Sequence, residues 1–98
     1  MILSMAHAVI DDARADNLFG EWSDLIVGER PEGLVSCYLV KDGSTVRVAA
    51  IWSDRSAHDR ALHDEATHPA YRVFDAAGAD PEHAVMDVIG VMGDHAHG

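Results

Sequence analysis

Three histidines, His58, His63 and His68, recur at five-residue intervals in a 98-residue sequence. Imidazole titrates near neutral pH, so each could move a proton or ligate a metal. On one continuous helix a five-residue step turns a side chain by about 140° beyond a full turn. The three cannot then share a face, and joint ligation, which favours i, i+4 spacing, is not expected. No metal site and no cofactor are expected. Singly, His63 is a candidate base or haem ligand, His58 is a second candidate base, and His68 is expected to cap the segment that Pro69 begins. Upstream, the run "VRVAAIWSD" ends on Trp52, whose ring could stack on a flat ligand while its indole N–H donates a hydrogen bond. Arg72 could clamp a carboxylate or phenolate, or pair with Asp75 or Glu65 at the surface. Tyr71, Tyr38 and Val48 complete the candidate ligand contacts. Tyr38 alternates with Cys37, so one of them faces the helices and the other faces away.

Composition narrows the chemistry. Seventeen acids against seven basic residues leave a formal charge of −10, which repels phosphate backbones and anionic membranes. Nucleic acid and membrane are therefore not expected partners. The single Cys37 cannot form an intrachain disulfide and reads as a reduced, buried thiol. His95 and His97 near the C-terminus could take up a divalent ion weakly. No Ser-His-Asp order, phosphate-cradling glycine loop or dinucleotide fingerprint is present. The opening "MILSMAHAVIDD" lacks a basic leader segment and is too short an apolar run to span a bilayer. The expected compartment is the cytoplasm.

The elements that must position these residues follow from periodicity. Ile2 to Ile10 reads as a strand. Leu18, Phe19, Trp22, Leu25 and Ile26 form one helical stripe behind an acidic start, with Gly28 as a stop. "LVSCYLV" and the run ending at Trp52 are two strands joined by a turn at Asp42-Gly43. Alternation places Val46, Val48, Ala50 and Trp52 on one face. Ser53 or Asp54 can cap a second helix, which Pro69 interrupts and restarts. "HAVMDVIGVM" reads as the last strand, in which Asp87 is expected at a strand edge or bonded to Arg47 across the dimer. Residues 94–98 read as a frayed tail.

The order is β-α-β-β-α-β, a ferredoxin-like α+β domain spanning residues 1–98, with two helices on one face of a four-stranded antiparallel sheet. Leu34, Tyr38, Val40, Ile51, Met86, Val88 and Met92 cannot all lie beneath two helices. A homodimer packed sheet face to sheet face is therefore expected.

The strand end "IWSD", the following "SAHDRAL" and the close "FDAAGADPEHAVMDVIGV" resemble the antibiotic biosynthesis monooxygenase-like members of the dimeric α/β-barrel superfamily. The resemblance covers roughly Met5 to Met92. It implies a cavity between sheet and helices beside Trp52, holding a small apolar or aromatic molecule. The polyketide oxygenases of that group pair such a Trp with an Asn earlier on the same strand face, a position taken here by Val48. Their phenol and Arg fall near His58 and Arg72. The haem-degrading branch pairs the Trp with a helix His, nearest here to His63, and with a first-strand Asn that this chain lacks. Three activities stay open: binding without catalysis, cofactor-free oxygenation of a phenolic or polyketide-like aromatic, and haem binding or degradation.

Overall fold

A computed structural model describes residues 1–64 and 68–93. Its elements run β1 (Ile2–Val9), α1 (Asp12–Val27), β2 (Leu34–Asp42), β3 (Thr45–Trp52), α2 (Arg55–His63), α3 (Pro69–Ala76) and β4 (Glu82–Asp87). The strands form one antiparallel sheet in the order β2-β3-β1-β4, the ferredoxin-like topology, with the second helix in two pieces.

Local chemistry accounts for the element ends. The Asp11 carboxylate accepts from the Arg14 backbone N–H at 3.0 Å and caps α1, while Asp12 sits at the positive end of its dipole. Asp54 caps α2 in the same way, accepting from the Ala57 N–H at 2.8 Å. Gly43 turns β2 into β3 at φ 60°, a conformation that costs glycine little. Gly28 closes α1 in an extended conformation, its N–H shared between the Asp24 and Leu25 carbonyls.

Strict alternation along β3 buries Val46, Val48, Ala50 and Trp52 beneath the helices. Leu18, Val73 and Phe74 pack over Ala6, Val46 and Val48, while Ala57 and Ala61 pack over Ile2, Ala50 and Trp52. The expected α1 stripe is narrower than its periodicity suggested. Leu18 is buried and Trp22 and Leu25 are half-buried, but Phe19 and Ile26 are exposed. α1 leans mainly on α3, so its apolar arc need be only as wide as that contact.

β4 also ends earlier than expected. Asp87 pairs with Ile2, leaving only Met1 beyond it on the neighbouring strand, so no ladder remains for residues 88–92. The Val88 N–H makes one last bond to the Met1 carbonyl at 3.0 Å. Asp87 lies at the end of this edge strand, as expected, and within the chain it meets Arg55 at 3.4 Å.

The sheet's other face carries cross-strand rows set by the same register. Ser36, Ile51, Leu3 and Met86 form one row, Tyr38, Ala49, Met5 and Ala84 the next, and Val40, Arg47, His7 and Glu82 the last. Tyr38, Val40 and Met86 are between 43% and 56% exposed, and no element among the described residues covers them. No helix among the described residues is long and apolar enough to cross a membrane. Glu65, offered above as a partner of Arg72, and the expected tail at 94–98 lie outside the described residues.

Candidate functional site

Two neighbouring features on the helix side of the sheet could do chemistry. The first is built around Trp52. Its ring is fully buried, and its indole N–H donates to the Ser4 hydroxyl at 2.9 Å across the β1–β3 ladder. A buried N–H without that acceptor would cost about 1–3 kcal/mol, so Ser4 explains how a polar handle is tolerated in this core. The edge of His58 meets the indole at 5.6 Å between centroids, and His68 lies tilted at the same separation.

His58, His68 and His83 converge here from α2, from the residue before α3, and from β4. Their centroids stand 5.5 Å (His58–His68), 5.8 Å (His58–His83) and 5.3 Å (His68–His83) apart. One nitrogen of each lies within 4.8 Å of the other two. His58 and His68 are each 1% exposed, and His83 is half-buried. The Tyr71 ring packs on His68 and His83 at 5.1 and 5.8 Å. Burial pushes His68 down from 6.5 to about 4, helped by the neighbouring His83 and His58. Burial, then the proximity of His58, also lowers His83. Both rings are neutral at pH 7.

Helical spacing alone would keep His58 and His68 apart, yet the structure brings these two together. The five-residue spacing forbids a shared face only on one continuous helix, and α2 ends at His63. His68 stands just ahead of a separate helix, α3. His68 does stand at the N-cap of α3, but its side chain makes no capping bond and enters the core instead. His63 is exposed at the last turn of α2 and does not join the cluster. His83 was not singled out from sequence. Its signal was alternation: Ala6 faces the helices and pairs with His83, so His83 and Val85 share the inward phase of β4.

The second feature is an open cleft of about 960 Å³ between the C-terminal half of α1 and β2. α1 leans on α3 and leaves the edge of the sheet uncovered, so Trp22, Leu25, Leu34, Cys37 and Pro69 become its apolar walls. Arg72 reaches it from α3 while ion-paired to Glu21 of α1. Burial pushes the Cys37 thiol up to about 11, partly offset by the Tyr38 backbone N–H, so it stays protonated and poorly nucleophilic. Leu34 and Cys37 also pack against the core cluster containing Trp52, so the cleft floor backs onto that cluster.

The expected ligand contacts are thus divided. Arg72 lines the cleft. Trp52 and Val48 lie behind its floor, fully buried, because β3 is an inner strand beneath the helices. Tyr38 points to the open sheet face, because the strand's period of two turns Cys37 inward. Tyr71 packs on the histidine cluster, which also holds His58. No histidine lines the cleft among the described residues.

No family model and no curated protein sequence matches the chain. Several solved structures do match its fold. A crystal structure described as an antibiotic biosynthesis monooxygenase is 19% identical, with 92% of this chain and 100% of that one covered, at a TM-score of 0.68. SnoaB, a cofactor-independent oxygenase from Streptomyces nogalater, is 19% identical over 95% of this chain and 96% of its own, at 0.63. A conserved protein from Methanosarcina mazei Go1 is 13% identical over 87% and 89%, at 0.66. The chain has the fold of the antibiotic biosynthesis monooxygenase-like proteins. At these identities the likeness establishes the fold alone.

Proposed function

We propose that this chain is a homodimeric, antibiotic biosynthesis monooxygenase-like protein that binds a small, flat, apolar or aromatic molecule in the cleft between α1 and β2. The cleft carries the reading: its volume lies within the range usual for small-molecule sites, about 300–1,000 Å³. Its apolar walls are joined by two guanidiniums, Arg30 and Arg72, and by the carboxylates Glu29 and Glu32. Trp22 offers a ring face, and Arg72 is suited to a phenolate or carboxylate on the ligand's rim. The bare apolar rows on the opposite sheet face support the dimer, since a second copy would cover them.

A second reading, cofactor-free oxygenation of a phenol, is favoured by Arg72 and by the fold shared with SnoaB. Arg72 would steady the phenolate that reduces oxygen. Among the described residues the cleft walls present no histidine to take the phenol's proton, so binding is the better-supported function.

Two arms of one titration separate them. A flat tricyclic phenol such as an anthrone should quench Trp22 emission saturably, and Leu25→Arg should weaken binding at least tenfold. Oxygen uptake that saturates with the phenol and is lost in Arg72→Ala would establish the oxygenase. Binding without uptake would establish the binding protein. Absence of saturable quenching by any flat phenol or quinone would overturn the cleft reading.

A further inference from the structure

We infer that His58, His68 and His83 form a binding site for a divalent first-row transition-metal ion of the zinc class. Each ring would contribute one nitrogen, leaving a fourth coordination position open. The site is separate from the cleft, behind the wall that Trp52 helps to build.

Three observations carry the inference. First, the rings come from three different elements, yet bring one nitrogen each to within 4.8 Å of one another. Bond lengths of about 2.0–2.1 Å from an imidazole nitrogen to zinc place tetrahedral ligand atoms about 3.3 Å apart. Small χ rotations would close the difference.

Second, the nitrogens are spare. His58 Nε2, both nitrogens of His68 and His83 Nε2 are buried and have no hydrogen-bond partner among the described residues. Three histidines are a costly way to fill a core, because each leaves an unsatisfied polar atom where an apolar side chain would leave none. A cation supplies what all three lone pairs lack.

Third, the outer shell is already in place for one ligand. His58 Nδ1 stands 3.3 Å from the Asp59 carboxylate. Only an N–H can donate there, so the neutral ring keeps its lone pair on Nε2. A carboxylate that orients a histidine and raises its basicity is the usual companion of a metal-bound imidazole. Imidazole-only ligation selects zinc, copper, nickel or iron over magnesium and calcium, which want oxygen. The chain's charge of −10 favours cation uptake in general.

The test uses the full chain without an affinity tag, dialysed against chelator and then titrated with Zn²⁺ and Co²⁺. One ion per chain should remain after gel filtration, with a rise in Tm and, for Co²⁺, the strong visible absorption of a four-coordinate site. His83→Asn changes the half-buried ligand and should weaken binding at least tenfold while the metal-free variant still folds. In a control, His95→Gln with His97→Gln should leave the stoichiometry and the cobalt spectrum unchanged. Should His83→Asn not fold, the imidazole ¹⁵N resonances of the wild-type protein should shift for three histidines on adding Zn²⁺. Less than one ion per chain, binding unaltered by His83→Asn, or binding lost in the His95/His97 variant would each overturn the inference.

Discussion

At the scale of single residues, burial turns ordinary polar groups into sharply conditional ones. The Trp52 indole is acceptable in the core because Ser4 accepts its N–H, and His58 keeps one proton committed to Asp59. His68 faces His58 from α2, His83 from β4 and Tyr71 from α3, all three of them ring groups. Its folded pKa of about 4 lies below the ordinary 6.5, so between those values the unfolded chain binds more protons than the folded one. Stability from this group is therefore fully present above about pH 6.5 and is lost as pH falls toward 4. Metal-free protein should lose on the order of 3 kcal/mol to His68 across that window. Urea titrations at successive pH values should show a shallower decline for His68→Gln than for wild type; parallel declines would contradict the assignment.

At the scale of elements, the meeting of β2, β3 and α2 is set by one glycine. Gly33 adopts φ +84°, and its carbonyl accepts from the Ser53 N–H at 2.8 Å, just beyond Trp52. A Cβ added there would stand 2.3 Å from the Ala57 Cβ at the start of α2. Gly43 in the hairpin also has positive φ, at +60°, but nothing lies within 4 Å of its missing Cβ. Gly33→Ala thus carries an overpacking cost of about 1–3 kcal/mol in addition to the backbone strain that both substitutions share. Chemical denaturation should rank the two in that order. Equal losses would mean that α2 yields to the added methyl.

At the scale of the whole molecule, the question is what covers the open sheet face. Leu3, Met5, Ala49, Ile51, Tyr38 and Met86 make two apolar rows, and the Arg47, His7 and Glu82 row bounds them. His7 and Glu82 already approach to 3.3 Å within one subunit, which suits a polar rim. A face-to-face homodimer predicts twice the monomer mass in sedimentation at micromolar concentration. Tyr38→Arg combined with Met86→Lys, which bring like charges to an apolar contact, should leave a folded monomer. A wild-type chain that sediments as a monomer would count against the dimer.

Periodicity in the sequence sufficed to determine the order of elements, the inward set Val46, Val48, Ala50 and Trp52, and the hairpin glycine; of the caps, it offered Ser53 or Asp54 for α2, where Asp54 serves, and His68 for α3, where no side-chain bond forms. Each depends on neighbours within a few residues, where sterics and alternation act directly. The split helix around Pro69 was legible for the same reason. Which way Cys37 and Tyr38 faced, where α1 left a cleft, and where β4 stopped depended on register between distant strands and on the lean of α1 toward α3. The histidine cluster is the clearest case. Helical spacing separates His58 from His68, and His83 stands fifteen residues farther along the chain. Only the packing of α2 and α3 as separate helices, together with pairing of β4 to β1, brings the three rings into one cluster, because helix packing and strand register join residues that no local period relates.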